Sequence, residues 1–98
     1  MPWECAIRLL NEDDEPLIDY KVTIFFSGLI GSYLTERTDG DGWANFENPY
    51  LDNKEPIIDY VYVQIQTFPT IKTKILVEGG TISSGETMSF TISDDDWS

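Results

Sequence analysis

The chain is organised by a period of two. In WECAIRLL (3–10), Cys5, Ile7 and Leu9 fall on one face of an extended strand. DYKVTIFF (19–26) sends Tyr20, Val22, Ile24 and Phe26 one way and Lys21, Thr23 and Phe25 the other. SYLTERT (32–38) and WANFE (43–47) form a shorter strand pair around a polar turn. YVYVQIQ (60–66) turns Val61, Val63 and Ile65 inward and Tyr60, Tyr62, Gln64 and Gln66 outward. TIKTKILV (70–77) sets Ile71, Ile75 and Val77 on one side and Lys72 and Lys74 on the other. TMSFTI (87–92) keeps Met88, Phe90 and Ile92 in register. No stretch repeats at the helical period.

The segments between these runs carry turn chemistry. NEDDEP, SGLIGS, NPYLDNKEP and EGGTISSGE combine glycine, proline and polar residues, which break strands and favour solvated loops. Seven short strands with one apolar face each predict an all-β fold. The economical arrangement is a seven-stranded antiparallel Greek-key β-sandwich, because each sheet buries its apolar face on the other. A small closed barrel is the main rival. One domain is expected over residues 1–93, followed by an acidic tail, SDDDWS, whose adjacent carboxylates repel one another.

Charge changes this picture more than composition does. Eighteen acids against six bases give a formal net charge of -12, and no histidine is present to alter it near neutral pH. Such a surface repels nucleic acid and anionic membrane, so neither is expected as a partner. A protein partner is expected instead, with a basic surface as the natural complement. Cys5 is the single cysteine, which excludes an intramolecular disulfide and a thiolate zinc cage. Its apolar neighbours predict a buried, inert thiol. MPWECAI lacks the charged and apolar regions of a signal peptide, and no run reaches the length of a membrane-spanning helix. Both points lead to an expected cytoplasmic location.

The densest local signal is ERTDGDGWANF (36–46). An EF-hand loop begun at Asp39 would place Trp43 at a ligand position, and one begun at Arg37 would start on a cation and end on Asn48. An EF-hand is therefore excluded, and only a weak surface cation site at Asp39 and Asp41 is left open. A tight turn needs less. Glycine adopts positive φ without cost and aspartate tolerates it, so the two Asp-Gly pairs predict a hairpin turn between antiparallel strands.

NEDDEPLIDYKVTIFF followed by TERTDGDGWANF resembles the carboxypeptidase-regulatory-like, or transthyretin-like, family of β-sandwich domains. Pro16, Leu17, Val22 and Ile24 match the family's Pro-Leu and strand pattern, and Thr38, Asp39, Asp41, Gly42, Ala44 and Phe46 match its T-D-x-D-G-x-A-x-F motif. The likeness covers the first half of the chain, and Asp19 and Tyr20 stand where the family usually has Gly-Ala. It implies an Ig-like, prealbumin-like sandwich with a binding or structural role. The family's purine-pathway hydrolases use histidines, which this chain lacks. The Lys-Asn bond of fold-related pilins is not carried over to Lys21, because the last strand offers no Asn or Asp.

Without histidine, and with one buried thiol, the common general bases and nucleophile-base pairs are missing. No phosphate-binding loop or nucleophile elbow occurs. No enzyme activity, cofactor or metal is therefore expected. The candidate binding residues are Tyr60, Tyr62, Gln64 and Gln66 on one strand face, with Trp43 beside the turn. The leading expectation is a non-enzymatic interaction module that holds a protein partner through this tyrosine face or through an edge strand. The alternative is a small acidic inhibitor or decoy that covers a basic surface of a nucleic-acid-binding protein or toxin, with acids 12–15 and 94–96 as its contacts. Carbohydrate binding through Trp43 and the tyrosines rests on aromatic content alone.

Overall fold

Seven strands form where the period of two predicts them. The protein is described by a computed structural model over residues 3–27, 33–48, 56–67 and 69–93. The strands are β1 (Trp3–Leu10), β2 (Lys21–Phe26), β3 (Tyr33–Arg37), β4 (Trp43–Asn48), β5 (Ile58–Thr67), β6 (Thr70–Glu78) and β7 (Glu86–Thr91). The expected loops at 28–32 and 49–55, and the tail 94–98 with Trp97, lie outside the described residues.

The strands divide into two sheets, a three-stranded one in the order β4-β1-β7 and a four-stranded one in the order β3-β2-β5-β6. Two open sheets with a shared core exclude the closed barrel among the described strands. The expectation of an antiparallel fold needs one correction. β1 pairs with β4 in antiparallel fashion, but β1 and β7 run parallel, with Ile7 opposite Met88 and Leu9 opposite Phe90. β1 and β7 are far apart in sequence, so no tight turn forces them to run in opposite directions.

The inward faces meet as the alternation requires. Trp3, Cys5, Ile7 and Leu9 of β1 are buried, as are Val22, Ile24 and Phe26 of β2 and Val61 and Val63 of β5. Trp3 and Phe26 join the two sheets with ring centroids 5.4 Å apart in an edge-to-face contact. The indole Nε1 of Trp3 donates to the Ile82 carbonyl at 2.9 Å, so its one polar atom is satisfied inside the core.

The Asp-Gly stretch is a turn, but not the hairpin expected. Gly42 N donates to the Asp39 carbonyl and Asp39 N donates to the Trp43 carbonyl, while Gly42 takes a φ of 85°. The arms on either side then separate, because β3 belongs to one sheet and β4 to the other. Thr38 is held by Tyr20, just before β2: its N–H donates to the Tyr20 carbonyl, and its hydroxyl accepts from Tyr20 N at 2.9 Å. Gly42 is held by β1, its carbonyl accepting from Leu9 N at 2.9 Å. The turn therefore carries the chain from one sheet across to the other.

A second departure lies in β6. Val77 pairs with Val61 and Ile75 pairs with Tyr62, which leaves Leu76 as an extra residue at a bulge. The bulge reverses the alternation, so Ile75 and Ile71 face outward while Val77 stays on the core side. Lys72 and Lys74, opposite Ile65 and Val63, fall on the inward parity of this edge strand. Lys72 is nonetheless exposed and Lys74 half-buried, and lysines on an edge strand together with a bulge hinder its pairing with another chain.

Candidate interaction face

The outer face of the four-stranded sheet is ordered in rows by its hydrogen-bonded register. The first row is Tyr33, Phe25, Tyr60 and Glu78, from β3 across to β6. The second is Thr35, Thr23, Tyr62 and Ile75. The third is Arg37, Lys21, Gln64 and Thr73, and Gln66 and Ile71 continue the face on β5 and β6 alone. The face thus grades from aromatic rings to cations and amides along the strand direction.

The rings touch one another. Phe25 lies 5.3 Å from Tyr33, 5.0 Å from Tyr60 and 5.7 Å from Tyr62 between centroids, and Tyr60 lies 5.8 Å from Tyr62. Beneath this cover Thr23 is buried and its hydroxyl is 3.0 Å from that of Thr35. The cluster therefore roofs the middle of the sheet, and part of its role is structural. The cover is incomplete: Tyr33 remains 60% exposed, Ile71 58%, Ile75 50% and Tyr60 38%.

Charge sets this face apart. In a chain of eighteen acids, Glu78 is the one carboxylate among its row positions, while Lys21 and Arg37 stand directly opposite each other. Two like charges in that arrangement repel and disfavour the sheet. Arg37 has partial relief: its Nη1 donates to the Asp19 carbonyl at 3.2 Å and is 3.5 Å from the exposed Asp19 carboxylate. Lys21, Arg37, Gln64, Gln66 and Ile71 line a shallow depression of about 120 Å³.

Tyr60, Tyr62, Gln64 and Gln66 are brought together as the alternation predicts, and Gln64 Nε2 lies 3.4 Å from the Thr73 hydroxyl. Trp43 is not with them. It stands on the outer face of the three-stranded sheet, opposite Arg8, whose guanidinium lies 5.5 Å from its ring centroid. Phe25, Tyr33, Ile75, Lys21 and Arg37 complete the face. The outward parity of Phe25 and Lys21 was visible in the sequence, but their place beside the tyrosines depends on strand register.

The three-stranded sheet offers a different surface. A groove of about 330 Å³ crosses its outer face over Ala6, flanked by Glu4, Glu47 and Glu86. Glu4 and Glu47 are direct cross-strand neighbours. At the nearby turn, Asp39 Oδ1 accepts from Asp41 N at 2.9 Å and from Trp43 N at 3.0 Å. These bonds, with the positive Arg8 nearby, hold the Asp39 carboxyl below its ordinary 3.8. Arg8 Nε donates to the Asp41 carbonyl at 3.0 Å. Of the two carboxylates considered for a weak cation site, Asp39 thus has one oxygen engaged by two backbone N–H donors. Among the described residues no group of three or more His, Cys, Asp or Glu is placed to hold a metal ion.

Cys5 of β1 is buried, and burial, with Glu86 nearby, pushes its thiol up to about 12. Among the described residues no helix is long and apolar enough to cross a membrane. Comparison with protein-family models and with curated proteins finds no match.

Proposed function

We propose that the chain is a non-enzymatic β-sandwich interaction module that holds a protein partner on the outer face of its four-stranded sheet. The observation that carries this reading is the charge and ring pattern of that face. It concentrates exposed tyrosine and isoleucine where carboxylates are nearly absent, in a chain that is otherwise strongly acidic. The edges are poorer candidates, since β6 carries a bulge and the lysines Lys72 and Lys74, and β3 is five residues long. Affinity capture from a lysate tests the reading with wild type and with a Tyr60→Ser, Tyr62→Ser double variant. Loss of the captured partner supports the face, and undiminished capture by the variant removes it.

The transthyretin-like, Greek-key form of the sandwich belongs to the same proposal. Its support is that the motif residues serve the fold: Thr38 ties the turn to Tyr20, just before β2, Gly42 ties it to β1, and Ala44 and Phe46 are buried in the core. A cytoplasmic setting suits a lone, buried, protonated thiol.

One observation favours the acidic inhibitor as a second reading. Asn11 Oδ1 accepts from Asp13 N and Glu15 N, both at 2.9 Å, so acids 12–15 sit on an ordered turn. A basic surface bound there would be released by salt, and capture that survives a high-salt wash would end this reading.

A further inference from the structure

We propose that the partner of this face is a second copy of the chain, packed face to face with its strands running in the opposite sense. The inference rests on the interaction-face reading above and adds the identity of the occupant. It follows from the order of the rows. A two-fold axis lying between the copies along the strands keeps each row against itself, so Lys21 meets the second copy's Gln64 and Arg37 its Thr73, and no cation reaches a ring. An axis across the strands, through the row of Thr35, Thr23, Tyr62 and Ile75, reverses the rows instead. Arg37 then meets the second copy's Tyr33, Lys21 meets its Phe25, and Gln64 meets its Tyr60, each contact occurring twice by symmetry. Cations come to rest over rings, which attract them, and Tyr62 and Ile75 meet their own counterparts at the centre.

Net charge selects the same surface. Two copies at -12 repel each other, and pairing on the three-stranded sheet would bring Glu4 and Glu47 against their own kind. The tyrosine face presents the lowest density of carboxylates for such a meeting, with Glu78 moved over the second copy's Thr73 in the reversed arrangement. Its size limits the strength. Four strands about 4.8 Å apart and three to four rows about 7 Å apart bury roughly 800–1,100 Å² over both copies. That is the lower end of specific interfaces, so the dimer forms in the micromolar range and exchanges with monomer.

Salt gives the proposal a sign. Screening weakens the long-range repulsion between two acidic copies more than it weakens contacts inside the interface, so added salt tightens self-association. A basic partner would respond in the opposite direction.

Sedimentation equilibrium on the purified chain, from about 5 to 500 µM and at about 20 and 300 mM NaCl, tests the arrangement. The expected mass rises from 11.2 kDa towards twice that value as concentration increases. Association should tighten several-fold at the higher salt. Tyr33→Ser and Arg37→Gln each weaken it about tenfold, because each removes two symmetry-related contacts. Thr87→Ser on the other sheet leaves it unchanged. Both face positions are exposed, and circular dichroism confirms that the variants fold. A chain monomeric at every concentration and salt overturns the second copy as partner. The face reading still stands in that case if lysate capture is lost on Tyr60→Ser, Tyr62→Ser, and falls with it if capture is indifferent to them. A dimer indifferent to Tyr33 and Arg37, or one loosened by salt, also overturns the proposal.

Discussion

Gly42 is the residue on which the crossing between the two sheets depends, and replacing it with alanine should be costly. Its φ of 85° lies in the region where an L side chain is strained, a cost of about 1–2 kcal/mol. A Cβ there would also lie 2.6 Å from the Leu9 carbonyl oxygen and 3.1 Å from Pro16 Cβ. The first neighbour is backbone and cannot swing aside. Relief requires β1 to move, which weakens the bond from Leu9 N to the Gly42 carbonyl and the bond from Leu17 N to the Leu9 carbonyl. At about 1 kcal/mol for each bond, part of which survives a small shift, the total loss comes to about 3 kcal/mol. For a domain of this size that lowers the melting temperature by roughly 15 °C. Gly40→Ala is the internal control: nothing lies within 4 Å of its Cβ and its φ is not positive, so its effect stays within about 0.5 kcal/mol. Urea unfolding followed by tryptophan fluorescence measures both. If the two variants differ by less than about 1 kcal/mol, the crossing does not depend on Gly42 as argued.

Other consequences can be checked on the same preparation. Thr38→Val keeps the shape but leaves Tyr20 N without its hydroxyl acceptor, and should cost about 1–3 kcal/mol in urea unfolding, whereas Thr38→Ser should cost less. The Cys5 thiol, raised from its ordinary 9.0 to about 12, is protonated in the fold where the unfolded chain would ionise. Its contribution is complete below pH 9 and declines by up to about 1.4 kcal/mol per pH unit between 9 and 12. Urea titrations of wild type and Cys5→Ala across that window should converge as pH rises, and iodoacetamide should label the native thiol far more slowly than the unfolded one. The depressed Asp39 carboxyl acts in the opposite sense: its contribution is present above its ordinary 3.8 and is lost as pH falls through the folded value. An Asp39→Asn variant should therefore show a shallower loss of stability on acidification.

All seven strands were legible in the sequence because a buried face imposes alternation that no loop imitates. The direction of the core was legible as well, from Cys5-Ile7-Leu9, Val22-Ile24-Phe26 and Val61-Val63. Two features were not. Asp39–Gly42 has the chemistry of a hairpin turn, and local chemistry closes the turn as expected, but the partners of its two arms are Tyr20 and Leu9, far away in sequence. The bulge at Leu76 follows from register against β5, and no residue in TIKTKILV announces it. The candidate site divides in the same way. The Tyr60, Tyr62, Gln64, Gln66 row follows from one strand's parity, whereas the cluster with Phe25 and Tyr33 needs three strands aligned. Trp43 shares only exposure and ring chemistry with the tyrosines, which says nothing of which sheet it joins.

The most direct measurement of the face is a map of backbone amide chemical shifts on the isotope-labelled chain, diluted from about 500 to 10 µM at about 300 mM NaCl. Changes with dilution should collect on Lys21, Phe25, Tyr33, Arg37, Tyr60, Tyr62 and Ile75, with those at the tyrosine and cation ends moving together. Shifts that gather instead around Glu4, Ala6 and Trp43, or none across the series, would contradict a contact surface built from that face and occupied by a second copy.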